Sequence, residues 1–549
     1  MLFEKVVLTP TDDYACTMKL RDSNLARLEA EDFDVLIIGG GINGAVSAAA
    51  LAARGARVAL IDARDFAGFT SQQSSNLVWG GIKYMEGYEF GLVAGLCKSR
   101  NELLDSFPST VKEIRFLMTL HRQFRFHPWV ILASTWLYWL LGRGRTRTPR
   151  LLSVAQIKQN EPLIDSNASS AGIEYSDAFL HDNDARFVFN FVRSAMDKGC
   201  VAANYVASRG AVRDDAGNWE TEVEDQVSGK TFTIRSKILI NAAGAFVDDH
   251  NQLCGIDTRY HHLLSKGIHL IVPRISDNHR VLAFFADDER LFFAIPMANR
   301  TCIGTTDTRV DNPLTEVTDA DRDFVLSNIN ARLDLPTPLR REDVIAERCG
   351  VRPLATLKAS GGSVDVQQLS RKHVIEMDAA QKHISIFGGK LTDCLNVGNE
   401  VCEHASQLGL VLQPAGKWYG EPDAQERASF FSRAGTLGLD EIVASDTHEA
   451  LSVRLWRRYA ANAEAMLDAI EQDASLAEPL IDQAGIRRCE IDYLVENEMI
   501  VKLEDYLRRR SKIELLMPRA TLRKSKGLRE ACEKLFGADA QQRLDEYFK

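Results

Sequence analysis

The sequence predicts an α/β fold in which a parallel-sheet nucleotide domain is joined to a second, mixed sheet and followed by a C-terminal helical domain. Three observations support this prediction. A buried strand, a glycine-rich turn, a helix and a second buried strand follow one another between Asp34 and Asp62. Apolar segments that alternate with polar residues between 267 and 308 are typical of antiparallel strands, and helical periods with many charges follow Pro414.

Composition is that of a globular protein with several domains. The chain has 549 residues, of which 45% are hydrophobic and 26% are charged. The net charge of −10 disfavours a broad surface for nucleic acid, so we expect no nucleic-acid partner. The ten cysteines form no C-x-x-C pair and no cluster with histidine, which predicts reduced thiols, a cytoplasmic protein and no metal site.

The first 31 residues are polar and weakly patterned. They predict an extension that packs on the surface or is partly mobile, with order beginning at Asp34. Pro, Thr and Asp interrupt this segment before an apolar core of signal-peptide length can form, so no export is expected.

The nucleotide domain begins with VLIIGG as a buried strand, INGAVSAAALAARG as a helix and ARVALID as a second buried strand. Gly39, Gly41 and Gly44 fit the pattern G-x-G-x-x-G in the strand–turn–helix context that the pattern requires. The glycines allow a tight turn and a close backbone approach to a pyrophosphate, which the N-terminus of the helix stabilises. Asp62 ends the second strand, where a carboxylate binds ribose hydroxyls.

Other strands of the same sheet are predicted far along the chain, at KILINAAGAFVDD and HISIFGGKLTDC. The nucleotide domain is therefore expected to be discontinuous. We place an oxidoreductase domain at about 32–410, with a nucleotide part at 32–90, 170–255 and 345–410 and a substrate part at 91–169 and 256–344. Residues 411–549 form the predicted C-terminal helical domain.

The most apolar stretch is WVILASTWLYWLL, residues 129–141, which is shorter than the roughly 20 residues that cross a bilayer. It is followed by GRGRTRTPR, which contains four arginines. An apolar segment beside a basic one fits contact with the surface of an anionic membrane over residues 129–150. A buried helix followed by a solvated loop is the alternative interpretation.

Two further segments distinguish a flavin from a nicotinamide cofactor. FTSQQSSNLVWGGIKYME is a Ser/Thr-rich loop that ends in a glycine pair and a cation, and it is able to lie along a pyrophosphate and reach an isoalloxazine ring. FGGKLT places glycines at the start of a second helix, where backbone N–H groups stabilise negative charge on a reduced flavin. The sequence therefore predicts FAD as the cofactor.

The order of GGGINGA, TSQQSSNLVWGGIKYME, LINAAGAFVDD, SKGIHLIVP, IGTTDT, GVRPL, SRKHVIEM and FGGKLT resembles that of the FAD-dependent, quinone-linked glycerol-3-phosphate dehydrogenases, within the D-amino-acid-oxidase-like FAD oxidoreductases. The resemblance extends from about Asp34 through EIDYLVENEMIVKLEDYLRRRSKI near the C-terminus. It implies a glutathione-reductase-like FAD domain, a mixed sheet over the flavin and a helical cap.

The motifs and the resemblance together give a set of candidate site residues. Those expected to bind FAD are Gly39, Gly41, Ile42, Asn43, Gly44, Asp62, Thr70, Ser71, Ser74, Ser75, Gly80, Gly81, Val206, Ala243, Gly244, Gly389, Lys390, Leu391 and Thr392. The resemblance implies substrate binding by Lys83, Tyr84, Arg352, Arg371 and Lys390, and catalysis by His269, Arg352 and Lys390. Cations from distant segments fit a small phosphorylated polyol.

The implied reaction is oxidation of sn-glycerol 3-phosphate to dihydroxyacetone phosphate, with hydride transfer to flavin N5. His269 is the candidate base because its ordinary pKa lies near neutral pH. Quinone is the implied acceptor and oxygen the competing one, which implies a cytoplasmic protein peripheral to the inner membrane; a homodimer is also considered.

The sequence departs from the family pattern at Asn76, Trp79 and Lys83, where that pattern has Lys, His and Arg. It also departs at Ala245 and Phe246, and at Asp393 and Cys394. These differences keep two alternatives open: an oxidase or dehydrogenase of another small anionic hydroxy or amino compound, and a flavin-binding interaction protein without turnover.

Overall fold

The computed structural model describes residues 19–549 except 123, 167–168, 287–289, 359–371, 442–448 and 482–483. Its strands are, in chain order, β1 (Asp32–Ile38), β2 (Val58–Ile61), β3 (Leu77–Val78), β4 (Val111–His121), β5 (Arg150–Leu152), β6 (Ser169–Leu180), β7 (Val201–Ala203), β8 (Val206–Arg213), β9 (Trp219–Asp225), β10 (Thr231–Asn241), β11 (Tyr260–Pro273), β12 (Arg280–Phe285), β13 (Leu291–Met297), β14 (Arg300–Gly304), β15 (Thr308–Val310), β16 (Ala346–Leu357), β17 (Val374–Asp378), β18 (His383–Phe387), β19 (Pro479–Ile481) and β20 (Ile486–Arg487). Its α-helices are α1 (Lys19–Ala30), α2 (Ile42–Ala52), α3 (Phe90–Ser106), α4 (Pro128–Leu141), α5 (Val154–Asn160), α6 (Asp184–Met196), α7 (Val247–Leu253), α8 (Asp319–Asn330), α9 (Cys394–Gln407), α10 (Ala424–Thr436), α11 (Leu451–Tyr459), α12 (Glu464–Gln472), α13 (Arg488–Asn497), α14 (Ile513–Leu516), α15 (Arg519–Lys524), α16 (Lys526–Phe536) and α17 (Ala540–Phe548).

The first sheet has the order β17-β18-β10-β1-β2-β7, and β9 and β8 extend it from β10. Its central strands β18, β10, β1, β2 and β7 are parallel. Val35, Leu36 and Ile37 of β1 are fully buried, as expected for a strand that has neighbours on both sides and helices on its faces. The predicted strand–turn–helix–strand unit is present as β1, α2 and β2.

The second sheet has the order β15-β11-β14-β13-β12-β4-β6-β3, with β16 beside β11 and β5 beside β6. β12 and β4 are parallel, whereas the other pairs of this sheet are antiparallel. The predicted fold class, a Rossmann-type domain with a mixed sheet and a C-terminal helical domain, is therefore confirmed.

Three strands lie in a different sheet from the one that the predicted boundaries imply. The boundaries place β3, β6 and β16 in the nucleotide part, whereas β3 pairs with β6, β6 with β4 and β16 with β11 in the second sheet. The reason is that β16 pairs with β11 over twelve residues, a long-range register that local patterns do not reveal. The remaining domain boundaries stay predictions.

The expectation that order begins at Asp34 was wrong. Residues Lys19–Ala30 form α1, which is fixed by Arg21. This fully buried guanidinium donates to the carbonyl oxygen of Asn204 at 2.9 Å and to Asp225 Oδ1 at 2.5 Å. The anchoring partners lie about 180 to 200 residues away, so the polar local sequence does not indicate a docked helix.

Helix α4 is apolar but not buried. Only Thr135 and Tyr138 are buried, whereas Trp129 and Leu140 are 62% and 61% exposed. This finding argues against the buried-helix interpretation of residues 129–141. Of the helices that the structure describes, none has the length and hydropathy required to cross a membrane.

Candidate active site

Two neighbouring cavities lie between the two sheets, and Thr70 lines both of them. The first, which we call the glycine-turn cavity, has a volume of about 320 Å³ and is lined by the predicted residues Gly39, Gly41, Asp62, Thr70, Ser71, Val206, Ala243 and Gly244. The second, the arginine cavity, has a volume of about 270 Å³. It is lined by the predicted residues Thr70, Ser74, Ser75, Tyr84, His269, Arg352, Gly389, Lys390, Leu391 and Thr392.

The glycine turn after β1 requires glycine at two positions. Gly39 has a φ of +103°, and a Cβ atom there would lie 2.5 Å from the carbonyl oxygen of Ala242. A Cβ atom on Gly44 would lie 1.8 Å from the carbonyl oxygen of Gly39. Side chains at these positions would separate α2 from the turn, so the glycines set the close packing that a dinucleotide site needs.

Asp62 lies at the end of β2 on the wall of the glycine-turn cavity. Its carboxylate accepts hydrogen bonds from the backbone N–H groups of Gly40 at 2.7 Å and Arg64 at 2.8 Å. Burial raises the pKa of this carboxyl to about 6. The fixed carboxylate therefore occupies the place expected for a ribose-binding group.

Strands β11 and β16 place the main charged groups of the arginine cavity. In their antiparallel register His269 lies opposite Arg348, Gly267 opposite Gly350 and Ser265 opposite Arg352. Because side chains alternate along a strand, these three pairs share one face of the sheet. A Cβ atom on Gly267 would lie 2.0 Å from Arg352 Nη2, so this glycine gives the guanidinium room to cross the strand.

Arg352 is oriented by the segment that follows β14. Its Nη2 donates to Thr305 Oγ1 at 3.0 Å and its Nη1 donates to the carbonyl oxygen of Thr306 at 3.3 Å. Asp307 Oδ1 lies 3.5 Å from Nη1 and forms an ion pair with the guanidinium. The guanidinium is thus held at the cavity wall, where it is suited to binding a phosphate through two N–H groups.

Lys390 lies across the cavity wall among aromatic rings. Its Nζ is 4.1 Å from the ring centroid of Tyr84 and 6.0 Å from that of Trp79. Trp79 in turn packs against Phe293, with ring centroids 6.5 Å apart. Ring faces attract the ammonium group, so Lys390 is held near the cavity by cation–π interactions.

His269 is 3% exposed and lies on the wall of the same cavity. Burial, together with the charges of Arg348 and Arg352, lowers its pKa to about 3. Its buried Nδ1 has no hydrogen-bond partner among the residues that the structure describes. The imidazole is therefore neutral, but it is a weaker base than the ordinary pKa that made His269 the candidate base.

Some predicted residues act around the cavities rather than in their walls. Ile42 N donates to Ser71 Oγ at 3.0 Å, and Asn43 Nδ2 donates to the carbonyl oxygen of Gly388 at 3.0 Å. Gly80 is buried and its N–H faces Asp177, and Gly81 turns the chain with a φ of +80°.

Two predicted substrate residues are not placed in the cavity. Lys83 lines neither cavity, and its role stays a prediction. Arg371 lies outside the described residues.

Sequence reasoning missed two buried arginines behind the cavity. Arg348 donates to the carbonyl oxygen of Ser74 and to Asn76 Oδ1, and Arg508 donates to the carbonyl oxygen of Gln72. They fix the Ser/Thr-rich loop mainly through backbone carbonyl oxygens, so no motif identifies them. The run of three arginines in DYLRRRS was a signal for Arg508 but not for Arg348.

Comparisons with known proteins agree with this geometry. Residues 34–375 match the family model described as FAD dependent oxidoreductase, and residues 419–543 match that described as the C-terminal domain of alpha-glycerophosphate oxidase. A glycerol-3-phosphate dehydrogenase of Pseudomonas tolaasii is 32% identical over 499 residues, which cover 88% of this chain and 93% of that protein. The chain belongs to the FAD-dependent glycerol-3-phosphate dehydrogenase family.

Two further comparisons concern a relative named for another substrate and a solved structure. A D-erythritol 1-phosphate dehydrogenase of Brucella abortus is 30% identical, with 88% of this chain and 95% of that protein covered. The structure of the glycerol-3-phosphate dehydrogenase from Bacillus halodurans complexed with FAD superposes with a TM-score of 0.73. Its identity is 24%, with 97% of each chain covered, so it supports the fold.

The cofactor of this family member is FAD, and the residues present fit it. The glycine turn, the N-terminus of α2 and Asp62 suit the adenosine and pyrophosphate part. Thr70 joins this cavity to the arginine cavity, which suits the isoalloxazine ring. Gly388 and Gly389 have φ values of +63° and +103° and bring backbone to the wall of that second cavity.

Proposed function

We propose that this chain oxidises sn-glycerol 3-phosphate to dihydroxyacetone phosphate and passes the electrons to quinone. The observation that carries the proposal is that Arg352, Lys390 and a neutral His269 line one cavity, which continues through Thr70 into the nucleotide site. Relatives named glycerol-3-phosphate dehydrogenase also support it. When bound, FAD supplies the hydride acceptor, N5 of its ring.

The protein residues bind the substrate and move its proton. Arg352 binds the phosphate group in a two-point hydrogen bond, and Lys390 stabilises the negative charge that develops as the hydroxyl group loses its proton. His269 is the proposed acceptor of that proton, because its imidazole is neutral and lines the arginine cavity. The dianionic phosphate offsets the charge of Arg352 and so raises the pKa of His269 once substrate is bound.

Anaerobic reduction of the purified yellow protein tests the reaction. We expect sn-glycerol 3-phosphate to bleach the flavin absorbance and quinone to restore it faster than air does. Substitution R352K is expected to lower kcat/KM about 100-fold with FAD retained, because lysine lacks the planar two-point grip. Flavin that is reduced by dithionite but by no polyol phosphate would instead support the non-catalytic alternative.

A second candidate substrate is a four-carbon polyol phosphate. It is favoured by a relative named for D-erythritol 1-phosphate, which matches 88% of the chain. Trp79 counts against it, because this ring stands where the family pattern has histidine and narrows the wall of the arginine cavity. The same bleaching experiment with erythritol phosphates distinguishes the two substrates.

We also propose that α4 and the basic segment after it bind the cytoplasmic surface of the inner membrane, where quinone is available. Trp129, Val130 and Leu140 are 62%, 51% and 61% exposed. Arg145 pairs with Asp105 and Arg147 pairs with Glu113, so part of the positive charge of the basic segment is neutralised within the protein. The apolar face therefore supplies most of the expected affinity. The homodimer stays a prediction.

Flotation with anionic liposomes tests the membrane proposal. We expect the wild type to float and the double variant W129S/L140S to remain in solution, because two of the most exposed apolar side chains of α4 are removed. V411S is the matched control, since Val411 is 90% exposed but lies outside α4. Equal flotation of all three proteins would contradict the proposal.

A further inference from the structure

The loop Gly388–Asp393 is fixed at both ends. At its start Asn43 Nδ2 donates to the carbonyl oxygen of Gly388, and the backbone N–H of Gly388 donates to His262 Nε2 at 3.0 Å. The next residues, Gly389 to Thr392, line the arginine cavity. The shape of this wall therefore depends on what holds the far end of the loop, at Asp393.

Asp393 is held by a buried network. Its Oδ1 accepts from Asn396 Nδ2 at 2.6 Å and from Ser99 Oγ at 3.2 Å. Its Oδ2 lies 2.7 Å from Nδ1 of His373. Ser99 belongs to α3 and Asn396 to α9. His373 immediately precedes β17, so its contact with Asp393 connects these two helices to that strand.

His373 has a carboxylate at each ring nitrogen. Nδ1 faces Asp393, and Nε2 lies 3.1 Å from Glu400 Oε2. The side chain of His373 is 2% exposed, whereas that of Glu400 is 44% exposed. Nδ1 is in hydrogen-bond contact with Asp393, whereas Nε2 is close to Glu400 as an ion pair without hydrogen-bond alignment; two carboxylates this near to one buried ring favour the imidazolium. The two carboxylates likewise raise the pKa of His373, and His373 lowers that of Asp393.

We propose that His373 is a positioning residue for the flavin: as an imidazolium between Asp393 and Glu400 it holds the loop Gly388–Asp393 in the shape that the isoalloxazine ring requires. It also compensates the charge of Asp393 beside the arginine cavity. The inference rests on the proposed place of the ring in that cavity. Loss of the imidazolium would leave two carboxylates near a site that becomes more negative on reduction.

Two charged groups, both carboxylates, face the ring of His373 in the part of the chain that the structure describes. Among the residues that the structure describes, Asp393 and Glu400 on or before α9 face its ring, and Lys372 is its neighbour in the chain and lines the cavity. Asp62 lines the other cavity and has a pKa of about 6, at the lower end of the measured range, so the transition assigned to His373 is the one that H373Q removes.

Substitutions H373Q, E400Q and D393N in the full-length holoenzyme test the proposal. H404Q is the matched control, because His404 is a partly exposed histidine on α9 whose Nδ1 lies 3.4 Å from Gln407 Oε1 of the same helix. The dissociation constant of FAD and the midpoint potential of the flavin are measured from pH 6 to 9, and circular dichroism checks folding.

We expect FAD affinity of the wild type to fall about tenfold as pH rises through the raised pKa of His373, since a buried charged hydrogen bond is lost. In H373Q affinity is already about tenfold lower at pH 6 and no longer varies with pH in this way. In E400Q the transition moves to lower pH, because one of the two carboxylates that favour the imidazolium is gone. The midpoint potential of the flavin falls in H373Q, because the charge of Asp393 is no longer compensated. It recovers in H373Q/D393N, because that charge is removed.

The proposal is overturned by an FAD affinity that is the same in the wild type and H373Q at every pH from 6 to 9, or by a wild-type transition that keeps the same midpoint in E400Q. If H373Q does not fold, E400Q still decides, since Glu400 is half-exposed. Failure of the proposed reaction is separate, because it appears as bound flavin that glycerol 3-phosphate does not reduce.

Discussion

At the scale of single residues, the environment of His269 decides what pH dependence the enzyme has. Burial and two neighbouring guanidinium groups lower its pKa to about 3, so the folded protein binds no proton there between pH 3 and 6.5 whereas the unfolded chain does. Stability from this residue is therefore present at neutral pH and is lost as pH falls through this window.

Substitution H269Q is expected to lower kcat about 100-fold or more at every pH, because the proton acceptor is removed. The wild-type profile of kcat/KM should show no acid limb from His269 above about pH 5. The variant should also lose less stability than the wild type between pH 7 and pH 5, measured by urea unfolding. An acid limb near pH 6.5 that disappears in H269Q would contradict the lowered pKa.

Trp79 is the residue through which substrate length is most directly tested. Its ring closes the cavity beside Lys390 together with Tyr84 and Phe293. A longer polyol would bury a hydroxyl group against ring faces, which costs roughly 1 to 3 kcal/mol.

The variant W79H is expected to raise kcat/KM for erythritol phosphate relative to glycerol 3-phosphate by about tenfold or more. Steady-state kinetics with both substrates give this ratio. W129H serves as the control, because Trp129 is an exposed tryptophan of α4. An unchanged ratio in W79H would show that the ring does not limit substrate length.

At the scale of elements, the contrast between β1–α2–β2 and α1 shows which structure the sequence reveals. The former has a glycine pattern and continuous apolar strands, so its period and turn chemistry agree within thirty residues. Helix α1 is polar, and its place depends on Arg21 reaching Asp225. Local patterns cannot predict a contact whose two halves lie so far apart.

The residues of the candidate site were only partly predictable, because some of them depend on contacts between distant parts of the chain. The glycines and Asp62 follow from one motif, and Arg352, His269 and Lys390 follow from the family resemblance. Arg348 and Arg508 were missed because they bind carbonyl oxygens, which every residue has. The pairing of His373 with Asp393 was missed because it depends on α9 folding back beside β17.

At the scale of the whole molecule, buried ion pairs join the C-terminal helices to the nucleotide domain. Asp65 is fully buried and accepts from Arg509 Nε at 2.7 Å and from Arg510 Nη1 at 2.8 Å. Asn204 Nδ2 also donates to it at 2.8 Å. Asp65 follows the predicted ribose-binding Asp62, so the C-terminal region supports the cofactor site directly.

Substitution D65N is expected to lower the free energy of unfolding by roughly 3 to 5 kcal/mol, because it removes a buried counter-ion that Arg509 and Arg510 share. Chemical denaturation of the holoenzyme measures this change. D105N is the matched control: its aspartate pairs with Arg145 at 2.7 Å but is 54% exposed, so a loss of at most about 1 kcal/mol is expected. Similar losses in the two variants would contradict the difference in burial.

The contact between Arg508 and Gln72 spans 436 positions of the chain. A ribosome adds about 5 to 20 residues per second, so the arginine emerges roughly 20 to 90 seconds after the loop that it fixes. Flavin capture is thus completed only after Arg508 has been synthesised, and chains that stop after Leu503 are expected to leave the ribosome colourless.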